Sequence, residues 1–359
     1  MKYTLEIQKL LYQINDNKSL TPKDKVKMYK QAADIADAND DIEWGYDVRV
    51  KLIQECFALA SGNELLTEFT WLMNAYENHP DWFDENDFLW QYKWVLGELY
   101  NNPDVSMEQI RNVMEDFKSR LERNGFSLQP YYDRLFDENT LLENFAEAKK
   151  YLDLRNNAPD DDMGNCPSCL LDNEIDYLLA IGKFDEACTR VQPLIDKLIS
   201  CSHVPARTYC SIMYYADKLE RKEEAVRFFD YAEEAMKQII EDNDESMCSS
   251  VGKMICHLFR AGEEQKGWDY FEASLPWYFE SNGQLQFEYA VAVWEGLLKL
   301  STEIVNLELP TNFALYNKEC VYRVDDLRNH FKSEAESLAT AFDKRNNSDV
   351  FIKRLKGNM

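Results

Sequence analysis

Four residues in the middle of the chain have the types and the spacing of a metal site. Cys166 and Cys169 form the chain's single Cys-x-x-Cys pair, and Cys201 and His203 follow as a Cys-x-His pair. Three thiolates and one imidazole are ligands that tetrahedral Zn²⁺ prefers. A zinc ion bound here would be structural, because no base accompanies an open ligand position. We expect the two pairs to meet if the helices between them run antiparallel.

Two other interpretations of these cysteines stay open. A redox role for Cys166 and Cys169 needs a preceding strand, and the surrounding sequence is helical instead. Alternatively the cysteines bind nothing, with Cys169 at the start of a helix and Cys201 a small buried apolar residue. The neighbouring aspartates 160–162 lack the alternate spacing of a calcium loop, so we interpret them as a solvated loop.

No catalytic signature accompanies these residues. The chain has four histidines, and none of them forms a local nucleophile motif with a serine or a cysteine. Phosphate-binding loops, GxSxG elbows and HExxH motifs are also missing from the sequence. We therefore predict that the protein is not an enzyme. The alternative is a metal-dependent enzyme, or a zinc or redox sensor, centred on the Cys166–Cys169 loop.

The composition favours a helical cytoplasmic protein, and its negative charge is explained either by solubility alone or by attraction of a basic partner. Glycine (12) and proline (10) are scarce among 359 residues, which favours helices. The formal charge of −25 repels phosphate backbones and anionic lipids but attracts a basic partner. We therefore expect neither nucleic-acid nor membrane binding. Glu6 interrupts the first apolar run, and no apolar stretch is long enough to span a membrane. The nine cysteines should be mostly reduced.

Capping signals and apolar periodicity predict helices along most of the chain. Thr21, followed by proline, and Ser106, followed three residues later by glutamine, are predicted N-cap residues. Pro193 lies inside a predicted helix and should kink it, because proline removes a backbone hydrogen bond. The alternating stretch 303–310 predicts a short extended segment, and a last helix is expected over 317–342.

An internal period marks the second half of the chain. Ala148, Ala187, Ala225 and Gly267 stand in the first turns of successive predicted helices, at spacings of 39, 38 and 42 residues. Each is followed four positions later by an apolar residue. A small residue is needed where two antiparallel helices approach closely. The period therefore predicts an array of helical hairpins.

This pattern resembles the tetratricopeptide repeat family, whose second helix carries a small residue followed four positions later by phenylalanine. The stretch 182–187 carries the closest likeness, and it is similar to a group of bacterial tetratricopeptide-like proteins with an Asp-rich CxxC loop. The periods exceed the family's 34 residues and its tryptophan is missing, so the repeats are divergent. The resemblance implies an all-α protein, an α-solenoid of antiparallel helix hairpins in a right-handed superhelix.

We expect a non-catalytic adaptor or scaffold, of an immunity or regulatory type, that binds a protein or peptide in a concave groove. The first helix of each hairpin lines this groove in the family. Carried onto this sequence by distance from the small residues, the groove residues are Asp172, Asp176, Arg207, Tyr214, Asp217 and Lys218. Their acidic and aromatic character suits a basic or amphipathic ligand.

The same reasoning divides the chain into three parts. Divergent helical hairpins occupy 1–140, and the repeats occupy 141–283 with an inserted Asp/Cys loop at 157–171. Capping helices and a tail occupy 284–359. Because stacked hairpins contact only their neighbours, we expect an elongated molecule.

Overall fold

The predicted all-α class is confirmed by a computed structural model that describes residues 2–281 and 283–357. The first helices are α1 (Lys2–Asp16), α2 (Pro22–Asp37), α3 (Ile42–Glu55), α4 (Asn63–Asn78), α5 (Asn86–Leu89), α6 (Tyr92–Asn101), α7 (Met107–Arg123), α8 (Gln129–Leu141) and α9 (Phe145–Asn157). They are followed by α10 (Pro167–Ala180), α11 (Phe184–Arg190), α12 (Gln192–Ile195), α13 (Ala206–Lys218), α14 (Lys222–Glu241), α15 (Cys248–Ala261), α16 (Glu264–Glu280), α17 (Gly283–Leu297), α18 (Val324–Asn346) and α19 (Val350–Lys356). Two 3₁₀ helices, Cys56–Ala58 and Glu245–Met247, and two strands, β1 (Ile304–Asn306) and β2 (Val321–Arg323), complete the described elements. None of the described helices is both long and apolar enough to cross a bilayer.

The predicted helix starts are confirmed at two capping boxes. The Thr21 hydroxyl accepts the Asp24 N–H, and the Asp24 carboxylate accepts the Thr21 N–H in return. Ser106 and Gln109 make the same reciprocal pair at the start of α7. Each box satisfies backbone donors that have no partner within the helix.

The remaining local predictions are met in part. The break at Pro193 is present, since α11 ends at Arg190 and the short α12 carries Pro193 in its first turn. Within the predicted extended stretch, β1 pairs antiparallel with β2, with Val305 opposite Tyr322. The last long helix was predicted from 317 but begins at Val324, because β2 occupies the residues directly before it.

Helices adjacent in the chain pack against each other throughout the second half. Contacting pairs are α8 with α9, α10 with α11, α13 with α14, α15 with α16, and α17 with α18. The small residues lie at tight positions within them: Ala148, Ala187 and Ala225 are fully or almost fully buried. A methyl group added to Gly267 would lie only 2.5 Å from the ring of Phe259. The lack of space at Gly267 agrees with the predicted need for a small residue there, and the burial of the three alanines is compatible with it.

The apolar core has two main parts. One is built by α1 to α7 with Met163, and the other extends from Leu171 to Leu355. A small cluster of Phe136, Ala148 and Tyr177 joins α8, α9 and α10. The predicted domain boundary after residue 140 falls at the last residue of α8, a helix that contacts α9.

The last helices return to the middle of the chain. Arg345 on α18 donates hydrogen bonds to the carbonyl oxygens of Tyr100 (2.8 Å) and Asn102 (2.9 Å). Arg354 on α19 donates to the carbonyl oxygen of Leu141, and α17 contacts α6. The expectation that stacked hairpins contact only their sequence neighbours is wrong, because these contacts join helices far apart in the chain. The elongated shape stays a prediction.

Candidate functional site

Three of the predicted ligands lie together where the α9–α10 loop meets the turn before α13. The Sγ atoms of Cys166, Cys169 and Cys201 all lie within 4.8 Å of one another, and those of Cys169 and Cys201 are 3.5 Å apart. Cys166 is the N-cap residue of α10, and Cys169 lies in the first turn of that helix. The N–H of Cys201 donates to the carbonyl of Val204 at 2.8 Å, which fixes the turn. These three cysteines could hold a metal ion.

His203, predicted as the fourth ligand, lies outside this group. Its Nε2 is 2.7 Å from Oδ2 of Asp244, and its ring stacks on Phe57 with centroids 4.5 Å apart. The imidazole is almost fully buried, and it connects the turn before α13 to the N-cap of the 3₁₀ helix Glu245–Met247 and to the 3₁₀ helix at 56–58. The predicted set of four ligands is therefore corrected to three among the described residues.

The three thiols influence each other's protonation. Hydrogen bonds from the thiols of Cys169 and Cys201 to the sulfur of Cys166 lower the pKa of Cys166, and the Ser168 hydroxyl lowers it further. Donation by Cys169 to its two neighbours, together with burial, raises the pKa of Cys169. The N-terminus of α10 adds positive potential at Cys166. The arrangement favours a thiolate at Cys166.

The loop that carries Cys166 is held in place by hydrogen bonds of Lys93 and of Asp161. Nζ of Lys93 donates to the carbonyl oxygens of Met163 (2.9 Å) and Gly164 (3.1 Å). The carboxylate of Asp161 accepts from the backbone N–H groups of Ser127 (2.5 Å) and Met163 (2.9 Å). Asp161 is therefore a structural residue, which corrects the interpretation of the whole aspartate run as a solvated loop.

A cavity of about 200 Å³ lies beside Cys169, and both polar and apolar side chains line it. Its charged or thiol lining consists of Lys93, Asp133, Arg134, Asp137, Cys169 and Arg207. The sequence did not point to this site, because its side chains come from α6, α8, α10 and α13. The pair Asp133 and Asp137, one helical turn apart, is the one local signal that could have indicated it.

Asp133 organises the wall of the cavity. Its carboxylate accepts hydrogen bonds from Nη1 of Arg155 (2.8 Å), Nδ2 of Asn165 (2.6 Å) and Nδ2 of Asn173 (3.2 Å). The guanidinium of Arg155 is buried and also donates to Glu174 at 2.7 Å. This network joins α8, α9, α10 and the loop before α10.

Burial shifts the pKa of several charged side chains that lie between these helices. It raises the pKa of Asp137 to about 7, against the opposing effect of the adjacent Arg134. It lowers the pKa of Lys93 to about 8, against the opposing effect of Asp133. Burial and the nearby Asp172 raise the pKa of Asp176 to about 6. The Asp137 side chain nevertheless stays 26% exposed, so water reaches the cavity.

Three predicted groove residues lie close together at the interface of α10 and α13. Asp172 is fully buried and accepts a hydrogen bond from Nε of Arg207 at 2.7 Å. Thr208 also donates to this carboxylate. Arg207 keeps 39% of its side chain exposed, and Asp176 is partly exposed one turn after Asp172. Asp176 and Arg207 are accessible from solvent, whereas Asp172 is engaged within the chain.

The other three predicted groove residues lie on the later part of α13. The hydroxyl of Tyr214 donates to Glu295 at 2.9 Å, and Oδ2 of Asp217 lies 2.9 Å from Nδ1 of His257. Nζ of Lys218 is 3.4 Å from Glu295 and 4.4 Å above the ring of Tyr214. Lys218 is exposed, while Tyr214 is buried. Tyr214 and Asp217 therefore connect α13 to α15 and α17.

Comparison with known proteins assigns no family to the chain. No model of a protein family matches the sequence, and the search of curated proteins finds no match.

Proposed function

We propose that the chain is a non-catalytic adaptor that binds a protein or peptide on a tetratricopeptide-like α-solenoid. The observation that supports this proposal is the series of contacts that joins α10 to α13, α13 to α15, and α15 to α17. Each of these is the first helix of a contacting pair. First helices stacked in this way, in a right-handed superhelix of antiparallel hairpins, present one continuous face to a ligand.

The proposed binding face is charged and partly open to solvent. It carries Asp176 and Arg207, and Lys218 at its edge. Further along, Lys253 of α15 lies 3.9 Å from Glu288 of α17, with side-chain exposures of 16% and 32%. Partly exposed side chains of both charge signs favour specific recognition. A partner must match the position of each charge as well as the net charge of the face.

A basic or amphipathic partner fits this face best. The chain carries 65 acidic and 40 basic residues, so its overall field attracts cationic proteins and repels nucleic acid and anionic lipid. Such steering accelerates association with a basic partner, and the face of first helices then supplies the specific contacts. Neutralisation or regulation of a basic cytoplasmic protein is the role that this combination suits.

Site-specific photo-crosslinking in extract of the host tests the proposal. A photoreactive residue replaces Lys218, which is exposed on a first helix, or Val226, which is 52% exposed on the second helix of the same hairpin. We expect one basic protein to crosslink at position 218 and not at position 226. Equal crosslinking at both positions, or none at 218, would contradict the proposal.

A further inference from the structure

We propose that Cys166, Cys169 and Cys201 bind one Zn²⁺ ion through three thiolates, and that the fourth coordination position is open to an exogenous ligand. This inference does not depend on the adaptor role. Tetrahedral Zn–S bonds of about 2.3 Å place sulfur atoms about 3.8 Å apart. The Sγ atoms of Cys169 and Cys201 are 3.5 Å apart, and all three sulfurs lie within 4.8 Å of one another. Small side-chain rotations therefore suffice to bring them to the distances that zinc needs.

The three sulfurs are held in place by contacts around them. The loop before Cys166 is fixed by Lys93 and Asp161, through the backbone hydrogen bonds described above. Asn165, the residue directly before Cys166, donates to the buried Asp133 at 2.6 Å. Cys201 lies in a turn closed by its own N–H. Ligands fixed in this way lose little conformational entropy when they bind an ion, which favours metal binding.

The surrounding charges suit three thiolates with one divalent ion. Zn²⁺ with three thiolates has a net charge of −1, which needs a positive environment when it is partly buried. Lys93 and Arg207 both interact electrostatically with Cys169. The N-terminus of α10 adds positive potential at Cys166. Binding would release the protons that the thiols carry, because thiolates are the ligands.

The fourth position is not filled by the ligand that the sequence suggests. His203 is engaged by Asp244 and by the ring of Phe57. Among the described residues, the three cysteines form a cluster of potential ligands without a fourth His, Cys, Asp or Glu. Structural zinc sites have four protein ligands, whereas sites with three protein ligands hold water or another molecule in the fourth position.

The cavity beside the cysteines provides a route to the open position. Cys169 belongs to the cavity lining, and the cavity holds about 200 Å³. A water molecule, an imidazole or a small thiol fits within this volume. Arg207 also lines the cavity, and its positive charge favours a neutral or anionic ligand over a cationic one.

Cobalt substitution in the full, reduced, metal-free chain tests both parts of the inference. The sulfur-to-cobalt charge-transfer absorbance counts the thiolate ligands, and the visible d–d bands report the coordination geometry. We expect saturation at one Co²⁺ per chain, three thiolates, and displacement by one equivalent of Zn²⁺. Added imidazole should shift the d–d bands. Absence of saturable binding would overturn the metal site, and d–d bands that imidazole does not move would overturn the open position.

Three variants identify the ligands. Cys201→Ser should remove about a third of the charge-transfer absorbance and weaken Co²⁺ binding by more than about tenfold. His203→Gln, which keeps a side-chain amide near Asp244, should leave both the d–d bands and the Co²⁺ affinity unchanged. Cys188→Ser is the matched control, because Cys188 is partly exposed and lies outside the cluster.

Two outcomes of the variant series would overturn the inference. A spectrum of Cys201→Ser identical to that of the native chain would exclude Cys201 as a ligand. A shift of the d–d bands in His203→Gln, together with weaker Co²⁺ binding, would restore histidine as the fourth ligand and close the site. Circular dichroism of each variant shows whether the helical fold is retained, and the imidazole titration of the native chain remains decisive if a variant does not fold.

Discussion

Arg155 is one of the largest fully buried side chains of the protein, and its guanidinium lies between two carboxylates. Asp133, itself 1% exposed, accepts from Nη1 at 2.8 Å, and Glu174 accepts from Nη2 at 2.7 Å. A buried guanidinium is tolerated only when its charge and its donors are satisfied. Asp133 also accepts hydrogen bonds from the side-chain amides of Asn165 and Asn173. This one carboxylate therefore holds α9, α10 and the cysteine loop against α8.

The substitution Asp133→Asn should therefore be costly. It leaves the shape of the side chain almost unchanged but removes the charge opposite buried Arg155. We expect the free energy of unfolding to fall by about 3 kcal/mol, the lower end of the range for breaking a buried ion pair, since Glu174 remains. Urea unfolding followed by circular dichroism measures the change.

Asp153→Asn on α9 is the matched control. Asp153 pairs with Lys149 at the surface, with 58% of its side chain exposed. Its loss should change the stability by no more than about 0.5 kcal/mol. Similar losses in the two variants would contradict the assignment of Asp133 as the organising residue.

The individual residues of the site could be predicted only where the signal was local. Cys166 and Cys169 are recognisable from their spacing, and the meeting with Cys201 follows from helices that pack against each other. The role of His203 could not be predicted, because its partners Asp244 and Phe57 lie 41 and 146 residues away in sequence (244 − 203 and 203 − 57). Lys93 was missed for the same reason, since its acceptors are backbone carbonyls 70 and 71 residues away.

At the scale of elements, a second prediction follows from the tight contact between paired helices. Ala187, in the first turn of α11, is fully buried within the larger apolar core. Ala187→Leu adds three carbon atoms to a close-packed position and should reduce the free energy of unfolding by about 1–3 kcal/mol. Urea unfolding followed by circular dichroism measures this change in the free energy of unfolding.

Ala146→Leu provides the comparison for this effect. Ala146 lies in the first turn of α9, as Ala187 does in α11, but its side chain is exposed. Leucine is almost as good a helix former as alanine, so the stability should change by only a few tenths of a kcal/mol. A native-like midpoint for Ala187→Leu would show that Ala187 does not lie at a helix contact.

Helix boundaries that are marked by a capping residue or a glycine were predicted well. Boundaries without such a residue were not. The capping residues Thr21 and Ser106 form the expected boxes, and Gly182 takes the left-handed conformation (φ +77°) expected after a helix. Helix α8 (Gln129–Leu141) was not predicted. Its buried face includes Asp133, so the apolar periodicity is interrupted where an ion pair replaces an apolar contact.

At the scale of the whole molecule, the return of α18 and α19 to α6 and α8 determines the shape. A compact chain of 359 residues has a radius of gyration of about 21 Å. The accessible surface of 17294 Å² exceeds the roughly 15,000 Å² of an average protein of this mass, so the molecule is somewhat less compact than average. We therefore expect small-angle X-ray scattering to give a radius slightly above about 21 Å. A radius larger by about a third or more would show an open array instead.

The contacts of α18 and α19 with α6 and α8 left no pattern in the sequence. The two acceptors of Arg345 are backbone carbonyl oxygens, 245 and 243 residues away, and every residue type supplies such an oxygen. A period of hairpins predicts contacts between neighbours but not between the ends of an array. The helical class and the second-half pairs were therefore predictable, while the contacts that close the molecule were not.

The binding face can be tested by removing one charge from it. Burial and the neighbouring Asp172 raise the pKa of Asp176 to about 6, so its carboxylate is disfavoured in the folded chain. The native state then holds the proton more tightly than the unfolded state, and the cost of ionisation is fully present above that pKa. Asp176→Asn removes this cost and should fold at least as well as the native chain at neutral pH.

The most direct measurement is the affinity of the basic partner identified by crosslinking at position 218, determined by isothermal titration calorimetry at neutral pH. Asp176→Asn should raise the Kd about tenfold, a loss of about 1.4 kcal/mol. Asp230→Asn removes the same charge from the exposed side of α14 and should change the Kd by less than about twofold. Unchanged affinity in Asp176→Asn, or an equal loss in Asp230→Asn, would contradict binding on the face of the first helices.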